Sequence, residues 1–153
     1  MLAFAEPATE EAFSPHQGGT ALIVRTIDEA QKSVRVAAYT FTSRTIAEAL
    51  ADAHQRGVNV QVVLNESQRK SRSSVAGWLA DNGIPVRFNN HYAIMHDKFI
   101  IIDDITLETG SFNFTKAAET RNAENVLVIH DDPKAVADYT KQWEKLWDEG
   151  KEK

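Results

Sequence analysis

The sequence predicts an α/β protein in which helices cover both faces of a mixed β-sheet. Short apolar runs alternate along the chain with segments whose apolar residues recur at helical spacing. The first strands are separated by helices, which is typical of parallel neighbours, whereas two later strands are joined by a tight turn, which requires antiparallel pairing. We expect residues 1–153 to form one domain, since neither a linker nor an internal repeat interrupts them.

The first half of the chain is predicted to run helix, strand, helix, strand. Residues 18–33 and 43–56 carry apolar side chains at intervals of three and four, which is typical of amphipathic helices. Gly57 is suited to end the second of these helices. Residues 34–41 form a short apolar run and residues 58–64 a β-branched run, so both are predicted strands.

The second half is predicted to contain two helices and four strands. One helix begins at Val75 and ends at Gly83, and a longer one begins at Pro133, a residue favoured in the first turn of a helix. The predicted strands are 85–88, 98–102, 105–109 and 126–129. Asp103 and Asp104 form the turn that joins the second and third of these strands as a hairpin.

The composition excludes several classes of protein. With 42% hydrophobic and 25% charged residues, the chain is neither disordered nor collagen-like. It contains no cysteine, which excludes disulfides, a thiolate nucleophile and cysteine-ligated zinc. The net charge of −5 arises from residues 76–153, which hold fourteen acidic and nine basic residues. Residues 1–75 are balanced, with eight of each, so a local basic patch for nucleic acid remains compatible with the overall charge.

Residues 1–17 are expected to be extended. Within them, Ala3-Phe4-Ala5 matches the small-x-small pattern after which signal peptidase cuts. We interpret this tripeptide as the remnant of a signal peptide and expect a periplasmic or secreted protein. The absence of cysteine is compatible with an oxidising compartment.

The most informative residues are His96 and Lys98. They lie two apart in an extended segment, so their side chains point to the same face. An ammonium group in an apolar run needs an anion, and we expect either a carboxylate or a bound phosphate to supply it. The hairpin returns Gly110 and Ser111 to the same end, and Asn113 adds an amide. Together these residues predict a pocket for an anion.

Other interpretations of the same stretch stay open at this point. Lys98 and His96 would be structural if a core carboxylate paired with the lysine. A serine nucleophile with a histidine base would use Ser111, although the G-x-S-x-G pattern is missing. A metal site would draw on His91, His96, Asp97, Asp103 and Asp104.

The spacing of these residues resembles a known signature. His96-x-Lys98, Asp103 and the pair Gly110-Ser111 match the H-x-K-x4-D-x6-G-S motif of the phospholipase D superfamily. The resemblance extends through most of the chain. The stretch from His96 to Asn125 is similar to the small bacterial endonucleases of that superfamily. It implies an α/β sandwich and metal-independent phosphodiester cleavage through a phosphohistidine, with no cofactor. Asp103 and Gly110 are assigned structural roles, Asp103 because it lies in the hairpin turn.

The resemblance also implies a role for each remaining residue of the site. His96 is the nucleophile or the general acid. Lys98 and Asn113 hold phosphate oxygens, and Ser111 makes a secondary contact to the phosphate or the histidine. Glu124 is expected to orient His96 through the second ring nitrogen, as a carboxylate does in a catalytic triad.

A polar and basic loop is predicted at 65–74. Its side chains Arg69, Lys70 and Arg72 are expected to bind the nucleic-acid backbone beside the site. Tyr39 lies near the end of the first predicted strand, where the adjoining loop is expected to line the same groove.

The mechanism implied by the family needs two histidines on opposite sides of one phosphorus, and this chain holds the motif once. We therefore expect a homodimer with one active site shared between two chains, and DNA, or RNA as well, as substrate. Nothing in the chain resembles a base-reading module, so cleavage without sequence preference is predicted. Two alternatives are a phospholipase acting on lipid headgroups and an inactive nucleic-acid-binding module.

Overall fold

The computed structural model describes residues 8–152. Ala3-Phe4-Ala5 lies outside the described residues, so the signal-peptide interpretation stays a prediction. The strands are β1 (Ala8–Phe13), β2 (Ser33–Ala38), β3 (Asn59–Asn65), β4 (Val86–Asn89), β5 (Phe99–Ile102), β6 (Thr106–Gly110), β7 (Asn125–His130) and β8 (Lys151–Glu152). The helices are α1 (Gly19–Asp28), α2 (Arg44–Gln55), α3 (Ala76–Asp81), α4 (Lys116–Thr120) and α5 (Pro133–Glu149), and a 3-10 turn spans Glu66–Arg69.

The strands of residues 8–152 form one sheet with the order β1-β7-β6-β5-β2-β3-β4-β8. Strands β2, β3 and β4 are parallel neighbours, and the other neighbouring pairs are antiparallel. One face of the sheet packs against α1, α2 and α3, and the other packs against α5. The predicted α/β fold, with a mixed sheet between helices, is therefore confirmed.

The two longest helices begin at residues suited to that position. The Ser43 hydroxyl accepts the backbone N–H of Ile46 at 3.2 Å and so caps α2. Asp132 accepts the N–H of Ala135 at 3.1 Å and caps α5, whose first residue is Pro133. No helix within residues 8–152 combines the length and the apolar character needed to cross a membrane.

The hairpin turn between β5 and β6 is fixed by Asp103. Its carboxylate accepts the backbone N–H groups of residues 31–33 at 2.7 to 3.2 Å, and the adjacent Asp104 pairs with Arg35 at 2.9 Å. Burial opposes ionisation of Asp103, but the three N–H donors outweigh it and hold the pKa of this carboxyl below its usual value. Asp103 thus ties the turn to the start of β2.

Two elements end earlier than their sequence patterns predict, for local reasons. The helix predicted at 18–33 ends at Asp28, because the amide groups of 31–33 bind Asp103 instead of continuing the helix. The strand predicted at 34–41 ends at Ala38. Beyond it, the backbone N–H of Phe41 binds the side chain of Gln68 rather than a neighbouring strand.

Three elements have no counterpart in the sequence prediction. Strand β1 occupies part of the segment expected only to be extended, and it pairs with β7 along its whole length. Helix α4 has five residues and β8 has two, so neither is long enough to carry a recognisable apolar period.

Candidate active site

The loops that carry the predicted site residues meet at one end of the sheet. The pairs Ala37–Phe99 and Phe99–Thr109 place the end of β2, the start of β5 and the end of β6 side by side. The end of β3 lies beside that of β2, because these strands are parallel. An open cleft of about 420 Å³ lies here, lined by His96, Asp97, Lys98, Phe99, Thr109, Gly110, Asp138, Tyr139 and Gln142.

The imidazole of His96 is exposed at the mouth of this cleft, in the loop before β5. Its ring meets the ring of Tyr39 edge to face, with centroids 4.6 Å apart and planes at 72°. Tyr39, which directly follows β2, therefore supports one side of the histidine ring. The remaining sides of the ring are open to a substrate.

The ammonium of Lys98 is half-buried and has no carboxylate within 4.0 Å in the described part of the chain. It donates to the backbone carbonyl of His96 at 2.9 Å and lies 5.9 Å from the centre of the Tyr39 ring. Burial lowers the pKa of Lys98, and the more distant charges of Glu124 and Asp97 partly oppose that shift. A cation desolvated without a direct ion pair is suited to bind an anion.

Gly110 and Ser111 hold the end of β6 against the start of β7. A Cβ atom at Gly110 would lie 2.1 Å from the carbonyl oxygen of Asn125, so only glycine permits this close approach. The Ser111 hydroxyl accepts the N–H of Asn125 at 3.0 Å, and the Ser111 N–H donates to the Asn125 carbonyl at 3.1 Å. The hydroxyl is exposed and keeps its own proton for a further acceptor.

Asn113 lies between two buried phenylalanines, Phe112 and Phe114. Its Oδ1 atom is buried and has no hydrogen-bond partner among residues 8–152. Leaving such an atom unsatisfied costs about 1–3 kcal/mol. A carbonyl oxygen only accepts hydrogen bonds, so this atom cannot bind a phosphate oxygen, and the phosphate contact of the Asn113 amide, which its N–H groups would make, stays a prediction.

The contact expected between Glu124 and His96 is not made within one described chain. Glu124 is held instead by its backbone, because its N–H donates to the Ser14 hydroxyl at 2.9 Å and its carbonyl accepts the Ser14 N–H at 3.1 Å. This pairing fixes Glu124 at the junction of β1 and β7. Its charge acts on Lys98 from a distance.

The basic side chains of the loop differ in whether a carboxylate of the described chain pairs with them. Lys70 and Arg72 are exposed, and no ion pair engages either of them in the part of the chain that the structure describes. The guanidinium of Arg69 is bound by Glu66 at 2.7 Å and lies over the Phe88 ring at 4.4 Å, so it stabilises the turn. The expected contact of Arg69 with a substrate stays a prediction.

The residues of the two other interpretations, a metal site and a serine nucleophile, are not brought together within residues 8–152. Asp103 and Asp104 lie at the opposite end of the sheet from His96, and no group of three or more ligand side chains within residues 8–152 is arranged to hold a metal. Ser111 makes no hydrogen bond to His96, so a serine–histidine pair is not assembled within one described chain.

Helix α5 contributes a wall of the cleft that sequence reasoning did not assign. Tyr139 packs edge to face on Phe99 with centroids 5.0 Å apart, and Gln142 donates to the Asp97 carboxylate at 3.1 Å. The sequence signal was limited to the apolar stripe of the helix, which marks a buried face without showing which loop lies above it.

The comparisons with known proteins agree with this geometry. The family model described as "Cardiolipin synthase, PLD-like domain" matches residues 23–147. The chain is 42% identical to Nuc, a phospholipase D family member from Salmonella typhimurium, whose crystal structure superimposes with a TM-score of 0.91 over 97% of this chain and 99% of that one. The structure of NucT from Helicobacter pylori matches with a TM-score of 0.88 at 27% identity, over 97% and 100% of the two chains.

Curated relatives carry lipid-related names. A phospholipase D from Rickettsia conorii is 40% identical over 131 residues, which cover 86% of this chain and 65% of that protein. A mitochondrial cardiolipin hydrolase from Xenopus laevis is 36% identical over 143 residues, which cover 94% of this chain and 64% of that protein. The chain thus spans about 65% of the length of these relatives. From the family match over residues 23–147, the chain belongs to the phospholipase D superfamily of phosphodiesterases.

Proposed function

We propose that this protein is a metal-independent, sequence-nonspecific endonuclease that hydrolyses nucleic-acid phosphodiester bonds through a phosphohistidine. The observation that carries the proposal is the Lys98 ammonium, desolvated beside His96 with no carboxylate within 4.0 Å in the described chain. A non-bridging phosphate oxygen supplies the missing anion. In this proposal the N–H groups of the Asn113 amide donate to the same phosphate.

The reaction runs in two displacements at phosphorus. The neutral imidazole of one His96 attacks, so an N–P bond forms while the bond to the leaving oxygen breaks with its electron pair. A second, protonated imidazole gives its proton to that oxygen. Water then attacks the phosphohistidine, its proton passes to the second imidazole, and the N–P bond breaks. The products are a phosphate monoester and an alcohol.

The second imidazole comes from a second copy of the chain in this proposal. Attacking and leaving groups lie in line across phosphorus, so one histidine cannot serve both. A two-fold axis through the cleft would place two His96 side chains on opposite sides of one phosphate. The Glu124 carboxylate, which does not reach His96 within one chain, favours a site completed by a partner.

Nucleic acid is the favoured substrate because of the charges around the cleft. Lys70 and Arg72 project from the loop that follows β3, at the same end of the sheet as His96. Exposed cations at this spacing suit the repeating phosphates of a nucleic-acid strand. The resemblance of the stretch from His96 to Asn125 to the small bacterial endonucleases of the superfamily supports the same choice.

Lipid headgroups are the second candidate substrate. Tyr92 and Ile94 lie in the loop that leads to His96, and their side chains are 38% and 48% exposed. Exposed apolar residues beside a phosphodiesterase cleft suit a lipid surface. The names of the curated relatives, phospholipase D and cardiolipin hydrolase, point to the same substrate class.

Chelation tests the proposed mechanism and the substrate together. Purified protein is incubated in EDTA with plasmid DNA, with RNA, and with vesicles that contain cardiolipin. We expect nicking and linearisation of the plasmid at the same rate as without EDTA, because Lys98 supplies the positive charge that a metal would otherwise provide. Loss of cleavage in EDTA that a divalent cation restores contradicts the mechanism. Release of headgroups from vesicles with intact plasmid favours the lipid substrate.

The double variant Lys70→Ala/Arg72→Ala should weaken DNA binding. Each removed phosphate contact lowers the slope of log K against log salt by roughly 0.7–0.9, so the two together should reduce it by about 1.5. Fluorescence anisotropy between 50 and 200 mM salt measures this slope. Lys32→Ala removes an exposed charge at the opposite end of the sheet and serves as the control. Equal slopes for the double variant and the control would show that the loop is a solvated surface that does not contact DNA.

A further inference from the structure

Two buried amide side chains beside the cleft have no place in the mechanism. Asn65 ends β3 and Gln68 lies in the 3-10 turn that follows, and they are only 6% and 5% exposed. Each uses its side-chain oxygen to accept a backbone N–H from a different loop. Asn65 Oδ1 accepts from Met95 at 2.8 Å, and Gln68 Oε1 accepts from Phe41 at 3.1 Å. We call Asn65 and Gln68 the amide pair.

The two acceptor bonds reach the backbone that carries the histidine and its neighbour. Met95 immediately precedes His96, and Phe41 follows Tyr39 by two residues. The amide pair therefore holds the two chain segments whose side chains make the 4.6 Å ring contact. A shift of either segment would move the imidazole relative to Tyr39.

These two bonds take the place of backbone hydrogen bonds between strands, which the N–H groups of Met95 and Phe41 do not make. Residues 39 and 95 lie outside the regular strands, and Met95 is itself buried. A buried N–H without an acceptor is costly, so losing either amide would force its loop to rearrange. The Asn65 amide is oriented by a second bond, because its Nδ2 donates to the Ser67 hydroxyl at 2.7 Å.

The same turn also reaches the remaining parts of the site. The Val75 N–H donates to the Phe41 carbonyl at 3.0 Å, so the far end of the basic loop returns to the segment that Gln68 holds. The backbone of Phe114, next to Asn113, bonds this segment through Thr40 and Thr42 at 3.3 and 2.9 Å. One framework thus connects the basic loop, the histidine and the asparagine.

We propose that Asn65 and Gln68 are positioning residues, which set the place of the His96 imidazole for in-line attack on phosphorus. The inference rests on the proposed nucleophilic role of His96. Because Lys70 and Arg72 stay in place, the amide pair acts on kcat rather than on substrate affinity. Misplacing a reacting group by about 1 Å costs up to roughly 100-fold in rate.

Paired substitutions separate the acceptor bond from the bulk of the side chain. Asn65→Leu keeps the size and removes the acceptor, whereas Asn65→Asp keeps an acceptor oxygen for Met95. With plasmid DNA and with bis(4-nitrophenyl) phosphate, we expect Asn65→Leu to lower kcat by roughly 10- to 100-fold with KM nearly unchanged. Asn65→Asp should restore kcat to within about 3-fold of the wild type. Gln68→Leu and Gln68→Glu should follow the same order.

Asn89→Leu is the matched control. Asn89 is fully buried at the end of the neighbouring strand β4, opposite Asn65, but its oxygen accepts from His91, five residues before His96. Equal losses of kcat in Asn65→Leu and Asn89→Leu would show that any buried amide matters alike and would overturn the inference. So would full activity of Asn65→Leu.

Amide hydrogen exchange at Met95 and nuclear Overhauser contacts between the His96 and Tyr39 rings give a readout without substrate. Asn65→Leu should lose protection at Met95 and weaken the contacts between the two rings, and Asn65→Asp should retain both. Should the wild type cleave neither substrate, the proposed function fails, and these two measurements still decide whether the amide pair positions His96. Unchanged exchange and ring contacts in Asn65→Leu would overturn the positioning role.

Discussion

His96→Asn should lower the rate of phosphodiester cleavage by roughly 1,000-fold or more, because the cleft as lined by residues 8–152 holds no other imidazole to form the phosphohistidine. DNA affinity should stay within about 2-fold, since Lys98, Lys70 and Arg72, the proposed phosphate contacts, are unchanged. Single-turnover cleavage and anisotropy measure the two quantities on the same preparation. His91→Asn is the matched control, because His91 lies in the same loop but bonds Glu149, outside the cleft.

Substantial cleavage by His96→Asn would show that His96 is not the nucleophile.

Mixed refolding extends the experiment to the proposed dimer. Wild-type chains refolded with excess His96→Asn chains form mostly hybrids with one histidine, so activity should fall as the square of the wild-type fraction. A linear fall, or an active monomer in solution scattering, would mean that each chain works alone.

Glu108→Gln should stabilise the protein at pH 8 by on the order of 3–5 kcal/mol while changing little at pH 4.5. Glu108 is 1% exposed, between Ile100 of β5 and Val128 of β7, and its Oε2 atom has no partner among the described residues. Burial raises the pKa of this carboxyl to about 8. The core therefore contains a carboxylic acid that resists ionisation.

The direction of the pH dependence follows from where each state loses its proton. The unfolded chain releases the Glu108 proton near pH 4.5, whereas the folded chain retains it to about pH 8. The contribution of Glu108 to the free energy of unfolding is thus fully present below pH 4.5 and is lost as the pH rises to 8. Urea unfolding at pH 4.5 and pH 8 measures the difference between wild type and variant. Glu11→Gln, which removes an exposed carboxylate on β1, is the control, and parallel behaviour of both variants would contradict the assignment.

The long elements were predictable because their patterns are local. Helices α2 and α5 have caps and apolar stripes that can be read from consecutive residues, and the β5–β6 hairpin is marked by its aspartate turn. Strand β1 was missed because its pairing partner lies more than a hundred residues away in the sequence, and its own alternation is weak.

The site was predictable only where the motif itself places a residue. The cluster of His96, Lys98 and Gly110 follows from hairpin register, which spacing determines. The ion pair between Arg69 and Glu66 and the burial of Asn65 depend on how the turn after β3 packs. The periodicity of the sequence does not predict this packing. Side chains that act through tertiary contacts are therefore the ones that sequence reasoning overlooked.

Both outer strands of the sheet are built in ways that discourage polymerisation. An edge strand with free backbone groups is a template for another chain, and long, flat, apolar edges promote aggregation. Within residues 8–152 one edge is β1, with Glu10 and Glu11 on adjacent positions, and the other is β8, which carries Lys151 and Glu152. Charged side chains at both edges oppose fibril-like strand addition to a core rich in β-branched strands.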